Sequence, residues 1–494
     1  MALSKDIYRE FEDVVGAENI CDDPAIMPAY YSVEFRAVIL PKDTAEVQAI
    51  VRLCNKRKLQ FRPVCTGWTG AFAPGIIYLD LRRMNRIIEI NEKDMYAVVE
   101  PYVISAQLQA ELMKRGLNFC MKGAGSTCTA MLRGHGHMDQ TTGGDDRNHL
   151  AIEWVTPEGD IVRSGSLGSS DEWHCGDGPG PSLRSILSSA VPPGVTPGIF
   201  TKAAMKVYHW PGPARFPVEG ESPNYRLSEM PPNLMVRYLS FPSVEKMWQA
   251  ELKIGESEIA YELMGFNASM VAANITTSNE EEEEMFKRIS KAVQGPGFLL
   301  IIAGNSPEDF EYKRRVLAQI IKETGGKSLE IVEDPKIEGV LLCQCIRISA
   351  SIRETFRNGG MFNSIPVMGQ RDLCIKWAIG AGKAKLPLIG KGLIVDDGGA
   401  FFGWGVEQGH LGKTEIFCKF DPQNPVAKEA VLKWQKDQSM RAFNEHYFCY
   451  TLAGQTNAEA DEMAANLCNY HLWWKKLKGA IDPNGVTTEG GPLV

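Results

Sequence analysis

The sequence predicts an α+β protein of more than one domain, and three observations carry that reading. The chain has 494 residues, too many for one ordinary core, and divides at typical domain lengths into roughly two or three units. Short β-rich apolar runs alternate with stretches of helical period along its length. A proline- and glycine-rich segment, Trp210-Pro211-Gly212-Pro213 continuing through Pro217 and Pro223, separates a first half from a second.

Each element follows from its local pattern. Residues 44–58 place Val47, Ile50, Val51 and Cys54 on one helical face, with Thr44 as the expected N-cap. A β-rich run at 61–64 enters a glycine-punctuated loop. Strands are expected at 76–81, 87–90 and 97–99, then a helix at 105–115 stopped by Gly116. An apolar run at 151–155 meets the turn Pro157-Glu158-Gly159-Asp160. Beyond the linker, strand 235–241 leads to helix 243–254 and strand 298–303 to helix 307–324. Such units predict a layer with helices on one face of an antiparallel sheet. The carboxylate run from Glu280 to Glu284 reads as a solvated helix start. Residues 458–480 read as helix, ended by Asp482-Pro483-Asn484-Gly485.

Composition narrows the function classes. Hydrophobic residues at 44% and charged residues at 23% exclude wholesale disorder. The net charge of −8 argues against a nucleic-acid partner. The longest apolar run near the middle, 298–303, falls far short of the ~18 residues a membrane helix needs. The N-terminus MALSKDIYREFEDVV lacks the apolar core of a signal peptide, so a cytoplasmic location is expected. The 12 cysteines include no CxxC pair, which argues against a zinc knuckle, a dithiol redox centre and an attached haem. Reduced, mostly buried thiols are expected instead.

The most informative segment is Thr66-Gly67-Trp68-Thr69-Gly70. Its glycines let the backbone turn and approach a ligand, and successive N–H groups in such a turn form a concave site for a pyrophosphate. By itself a glycine loop after a strand is more often a plain turn. Gly412-Lys413-Thr414 imitates the end of a nucleotide-binding loop, but the required upstream glycine is Glu407. The sequons at Asn267 and Asn274 suit glycosylation only in a secreted chain.

The loop gains weight from four segments downstream of it: LDLRRMNRIIEINEKDMYAVVEP (79–101), GAGST (123–127), AIEWVTPEGDIVRSG (151–165) and PGIFTKA (197–203). In this order and spacing they resemble the FAD-binding domain of the vanillyl-alcohol oxidase/p-cresol methylhydroxylase flavoprotein family, which includes D-lactate and glycolate dehydrogenase flavoproteins. The resemblance covers roughly residues 20–213 and returns in WWKKLKGAIDPNGV (473–486). It implies an FAD-binding domain of two α+β subdomains at 1–213, an α+β cap or substrate domain at 214–457, and a C-terminal helical segment at 458–494 returning to the FAD domain. Thr66, Gly67, Trp68, Thr69 and Gly70 would then sit on the pyrophosphate of FAD. Gly125, Ser126 and the 134–144 stretch with His137 would run along the flavin, and Gly198 and Ile199 would touch the adenine side or ring.

Departures from the family pattern carry information too. Members with FAD attached covalently at the pyrophosphate loop have a histidine where Trp68 aligns, so attachment there is not expected; attachment through a histidine or tyrosine of the cap stays open. Of the family's GHxGDGNxH signature, Gly409-His410-Leu411-Gly412-Lys413-Thr414-Glu415 keeps the first histidine but neither the aspartate nor the second, so no metal is expected. The stretch HYFCYT (446–451) has tyrosines but lacks the arginine of phenol-oxidising members.

Flavin-dependent C–H oxidation needs a hydride acceptor, a base, and positive charge where the substrate is an anion. His149 is the first candidate base, with Asp146 its alternative because Asn148 replaces the acid of the phenol-oxidising relatives; His410 of the cap is the second choice. Taken singly, His135, His137 and His149 each read more readily as structural hydrogen-bonders than as bases, and His410 reads equally as a satisfied core histidine. Arg347, Arg353, Arg357 and Arg371 are carboxylate clamps or solvated surface charges. The resemblance implies an FAD-dependent oxidoreductase acting on a 2-hydroxy acid or an aromatic or alcohol substrate. Electrons would pass to a separate acceptor protein or quinone, since the chain has no haem or iron–sulfur ligand set. The alternative is a non-catalytic flavoprotein subunit serving as an assembly or electron-relay platform. Either way a homo-oligomer or a subunit of a larger complex is expected.

Overall fold

The computed structural model describes residues 3–26, 35–66, 74–121, 125, 127–131, 148–175, 197–221, 225–346, 361–396, 401–406, 408–445 and 470–487. Its first sheet is built from α1 (Lys5–Val15), β1 (Ile20–Cys21), β2 (Ala37–Ile39), α2 (Thr44–Arg57), β3 (Phe61–Val64) and β4 (Ile77–Asp80). The order is β1-β2-β4-β3, with β2, β4 and β3 parallel and β1 antiparallel at the edge. The predicted face of α2, Val47, Ile50, Val51 and Cys54, packs with Phe11, Ile39, Phe61 and Leu79 in one core. Asp43, not Thr44, caps that helix: its carboxylate accepts from Glu46 N at 2.9 Å. Thr44 is the first helical residue, and its hydroxyl is directed elsewhere.

The second sheet takes β5 (Ile87–Asn91), β6 (Tyr96–Val99), the helix α3 (Ser105–Met113), β7 (Leu117–Phe119), β8 (His149–Val155), β9 (Ile161–Arg163) and β10 (Ile199–His209). Its order is β5-β6-β10-β8-β9, with β7 also on β10, and every pair is antiparallel. Leu108 and Leu112 of α3 pack on Val99, Ile152, Trp154 and Met205. Helix α3 is two residues shorter than its pattern predicts, and Gly116, at φ +70°, comes three residues after its end. Val155 and Ile199 belong to the core of the first sheet, so the two sheets share packing.

The second half starts with a two-stranded ribbon, β11 (Val218–Glu219) and β12 (Arg226–Leu227). It continues through β13 (Leu234–Ser240), α4 (Val244–Ser257), β14 (Glu262–Phe266), α5 (Ala268–Ile275), α6 (Asn279–Ala292), β15 (Gly297–Ala303), α7 (Pro307–Thr324), β16 (Lys327–Ser328) and α8 (Pro335–Ile346). The remaining elements are β17 (Met361–Gln370), α9 (Arg371–Ile389), β18 (Phe401–Val406), β19 (Leu411–Phe420), α10 (Pro425–Asn444) and α11 (Tyr470–Ile481). Seven strands pair in the order β16-β13-β15-β14-β18-β19-β17, all antiparallel.

The expectation of helices on one face is corrected here. Alternate strand residues face two cores: Met235, Leu239 and Leu300 meet α4 and α7, while Val236, Leu299 and Ile301 meet α5 and α8. The near-continuous apolar strand GFLLIIA demands cover on both sides. Glu280 to Glu284 do open a helix, α6, capped by Ser278. Asn267 caps α5 through Met270 N, and Asn274 is fully buried, so neither sequon presents a free side chain. Gly412-Lys413-Thr414 lies within β19, a strand and not a phosphate loop.

The segment read as a linker is a packed wedge. Trp210 is buried, its ring edge-on to Tyr261 at 5.2 Å and its indole N–H donating to Pro213 O at 2.9 Å. A Cβ on Gly212 would fall 2.1 Å from that ring, so only glycine fits there. A buried polar joint lies beside it. Gln109 of α3 donates to Ile346 O at 2.7 Å and to Asn118 at 3.2 Å, and Asn118 donates to the Tyr261 hydroxyl at 2.9 Å. The end of the chain closes on the first sheet: Asp482 accepts from Val486 N and Thr487 N, and Phe61 N donates to Val486 O at 2.8 Å.

Candidate functional site

Thr66 follows β3 at the carboxyl end of the parallel strands, half-buried, the end at which open parallel sheets hold ligands. Just before it, the Cys65 thiol donates to Pro101 O at 3.4 Å, and burial, with Asp80 nearby, pushes that thiol up to about 12. Gly67, Trp68, Thr69, Gly70, Ser126, His135, His137 and Asp146 lie outside the described residues, as do Arg347, Arg353, Arg357 and the tyrosines of 446–451.

Gly125 is buried, and its carbonyl accepts from Ala106 N at 2.8 Å in the first turn of α3. Ser105 N donates to Cys128 O at 2.9 Å and Ala130 N to Val103 O at 2.8 Å, so residues 125–130 are laced along 103–106. Cys65, just after β3, therefore reaches Pro101, while Gly125 and Cys128 join Ala106 and Ser105, a few residues on. The Ser105 hydroxyl in this turn is buried and makes no hydrogen bond among the described residues. Sequence reasoning passed over it, although a small polar residue opening a helix beside a glycine loop was the available signal.

His149 opens β8, buried, opposite Met205. The register slips there, two β8 residues answering one on β10, the kind of bulge that re-aims side chains beside functional sites. Next to it Asn148, also buried, accepts from the Tyr208 hydroxyl at 2.5 Å while its carbonyl takes Lys206 N at 2.7 Å. Tyr208 was not anticipated from the sequence. At the far end of the same strand pair, Gly198 has φ +93°, and a Cβ there would lie 2.3 Å from Val155 O and 2.5 Å from Trp154 Nε1. Trp154 donates to Pro197 O at 2.8 Å, and Ile199 pairs with Val155. His149 and Val155 are six residues apart, about 20 Å along a strand. Only an elongated ligand reaches both ends.

Midway along β8 sits Glu153, a carboxylate inside the apolar run AIEWV, buried. It accepts from the hydroxyls of Thr44 at 2.8 Å and Thr201 at 3.1 Å, with Lys202 Nζ at 2.9 Å and Arg163 Nε at 3.3 Å. Burial raises its pKa, but the hydrogen bonds from Lys202, Thr44 and Thr201 outweigh this and hold the carboxyl below its ordinary range.

His149 and His410, the first and second candidate bases, are placed on different sheets, and no contact among the described residues joins them. His410 is exposed in the turn between β18 and β19. That turn leans on α4, where a Cβ on Gly255 would meet Gln408 O at 2.2 Å. Helix α4 covers the sheet face opposite the one that receives Trp210 and Met113. Arg371 is neither a substrate clamp nor a solvated charge: fully buried, it makes paired bonds of 2.7 and 2.6 Å to Glu251 and donates to Thr414 at 2.9 Å. A largely apolar cavity of 580 Å³, lined by Tyr238, Met247, Phe266, Phe286, Ile375 and Ile416 among others, opens in the second half and touches none of the candidate residues. No cluster of metal-ligating side chains occurs among the described residues, and no helix among them is long and apolar enough to cross a membrane.

The residues present fit the FAD that the resemblance implies. An orphaned buried hydroxyl at Ser105 stands at a helix N-terminus beside Gly125, and the half-buried Tyr208 hydroxyl and Lys206 N hold the buried Asn148 beside His149.

Comparison with known proteins agrees. A family model described as FAD binding domain matches residues 35–165. The chain is 31% identical over 214 residues to 1'-carboxy-chondrochloren decarboxylase of Chondromyces crocatus, covering 40% of this chain and 38% of that protein. It is 27% identical over 198 residues to the 4-cresol dehydrogenase [hydroxylating] flavoprotein subunit of Pseudomonas putida, covering 34% and 38%. These matches span under two-fifths of each relative. The fold extends much further: a p-cresol methylhydroxylase structure with substrate bound superposes with a TM-score of 0.74 at 18% identity, over 97% of this chain and 95% of that one. The 4-ethylphenol oxidase from Gulosibacter chungangensis gives 0.70 at 19% identity, over 97% and 95%.

Proposed function

We propose, from the FAD binding domain model that matches residues 35–165 and the fold shared with p-cresol methylhydroxylase, that this chain is an FAD-dependent oxidoreductase of the vanillyl-alcohol oxidase/p-cresol methylhydroxylase type acting on a hydroxylated or activated C–H substrate. The observation that carries this is the coincidence of the matched domain with the strand ends, the Gly125 loop and the buried Asn148–His149 step. Bound FAD supplies the hydride acceptor. The chain's own residues do the rest. Thr66 and the glycines after it hold the pyrophosphate, Ser105 and Gly125 line the flavin side, and Gly198–Ile199 meet the other end. His149, or Asp146 just before it, takes the proton that leaves the substrate oxygen. Its buried position at the start of β8 makes His149 the better base than His410, which is exposed in the turn between β18 and β19. The division near residue 213 separates the cofactor half from the substrate half. The cofactor is held without a covalent bond to the 66–70 loop, attachment elsewhere being open. Electrons leave to a separate acceptor protein or quinone, in the cytoplasm, where the ten free cysteines among the described residues stay reduced.

The test is the absorbance spectrum of the purified protein, followed by anaerobic addition of 2-hydroxy acids, phenols and aromatic alcohols. Bound flavin bleached by one of these classes supports the reading and names the class. In His149→Ala the bleaching should slow by about 10²–10⁴-fold per bound flavin. Flavin that is bound but reduced by none of them favours the non-catalytic platform.

A further inference from the structure

We infer that the hydrogen bond from the Thr44 hydroxyl to the Glu153 carboxylate is a latch that sets the spacing of the two sheets around FAD and thereby governs cofactor affinity. This rests on the FAD reading above. The Thr66 loop leaves the first sheet, and Gly198, His149 and Asn148 belong to the second. A ligand touching both sets needs the two sheets at one fixed offset.

Glu153 lies where that offset is decided. A carboxylate inside a strand core is costly unless hydrogen-bonded and paired, and this one has four donors. Three of them, Thr201, Lys202 and Arg163, come from the neighbouring strands β10 and β9 of its own sheet and satisfy the charge in place. The fourth, Thr44, crosses from the first turn of α2, the helix that feeds β3 and the Thr66 loop, at 2.8 Å. The same Glu153 oxygen accepts from Thr44, Thr201 and Lys202. Thr201 stands three residues after Gly198, so the carboxylate joins α2 directly to the strand that begins at the cofactor turn. Other contacts cross nearby: Gln48 donates to Gly159 O at 2.7 Å and Asn55 to Pro157 O at 2.5 Å, both in the β8–β9 turn. Val155 and Ile199 pack into the first sheet's core through non-directional apolar contact, which leaves the Thr44 bond, among the described residues, as the directional tie into the strands themselves. Glu153 and Thr44 are positioning residues: they act on the cofactor through the loops they align.

The experiment titrates FAD into the full-length apoprotein and reads the dissociation constant by flavin fluorescence, alongside the thermal midpoint of the apoprotein. Thr44→Val keeps the shape, removes only the crossing bond and should raise the Kd by roughly 5–150-fold, the span of ordinary coupling between sites. Thr44→Ser restores the hydroxyl and should bind within about twofold of wild type. In a Glu153→Leu background, Thr44→Val should add nothing, as expected for two partners of one interaction. A purely structural role predicts a lower midpoint with an unchanged Kd. Thr44→Val binding FAD like wild type, or Thr44→Ser losing as much as Thr44→Val, overturns the latch while leaving the cofactor assignment standing. A wild-type chain that binds no FAD overturns the cofactor assignment and the latch with it.

Discussion

Replacing Gly198 by alanine separates two physical costs at one turn. The first is conformational: Gly198 sits at φ +93°, where an L side chain pays about 1–2 kcal/mol. The second is steric: the new Cβ would lie 2.3 Å from Val155 O and 2.5 Å from Trp154 Nε1. Neither neighbour yields easily. Val155 O belongs to the β8–β10 ladder, and the Trp154 indole is 3% exposed and anchored on Pro197 O. Overpacking of that kind costs about 1–3 kcal/mol, and turning the indole away forfeits a further ~1 kcal/mol hydrogen bond. The total, about 3–6 kcal/mol, is a large share of the ~5–15 kcal/mol a domain has. Gly75 is the control: its φ is +76° and a Cβ would meet nothing within 4 Å, so Gly75→Ala should lose only the first part, about 1–2 kcal/mol. Urea unfolding of both apoproteins, with hydrogen exchange of peptides from β8 and β10 to localise the loss, gives the comparison. Two variants equally destabilised, or Gly198→Ala within ~0.5 kcal/mol of wild type, refute the steric reasoning. FAD affinity should fall with Gly198→Ala.

The other expectations are narrower. Ser105→Ala removes a buried hydroxyl that has no partner among the described residues, so the apoprotein should be as stable or more so, whereas FAD binding should weaken about two- to tenfold if that hydroxyl meets the cofactor; calorimetry on both forms checks the opposite signs. The Glu153 carboxyl is held below its ordinary range in the fold, so the stability it contributes is present above its unfolded pKa and lost as pH falls through the folded value. The gap between wild type and Glu153→Gln in thermal midpoint should therefore be full at neutral pH and close in acid, with Lys202 and Arg163, and Asp171 beside Arg163, the charges that face it; a gap constant with pH contradicts the assignment. Mass spectrometry of the peptide spanning 63–75 should show no flavin adduct, because tryptophan stands where a covalent histidine aligns.

Local pattern alone determined much of this protein. The face of α2, the helices α4 and α7, and the strands β13 and β15 could be read because a helix or strand that buries one side must repeat its apolar residues at a fixed period, and that period is visible in the chain. The glycine loops and their order were legible for a related reason: close backbone approach leaves few residue types to choose from. What the sequence could not decide was partnership across distance. Glu153 looked like one charge in an apolar run until Thr44, 109 positions away, was found to donate to it. Arg371 looked like surface until Glu251, 120 positions away, met it in the core. Trp210 to Pro213 read as a linker, since proline and glycine mark turns whether those turns end in water or under a tryptophan. His149 and His410 had the same chemistry on paper. The fold separated them, because a side chain's neighbours are set by which sheet and which face its strand joins, and no local period records that.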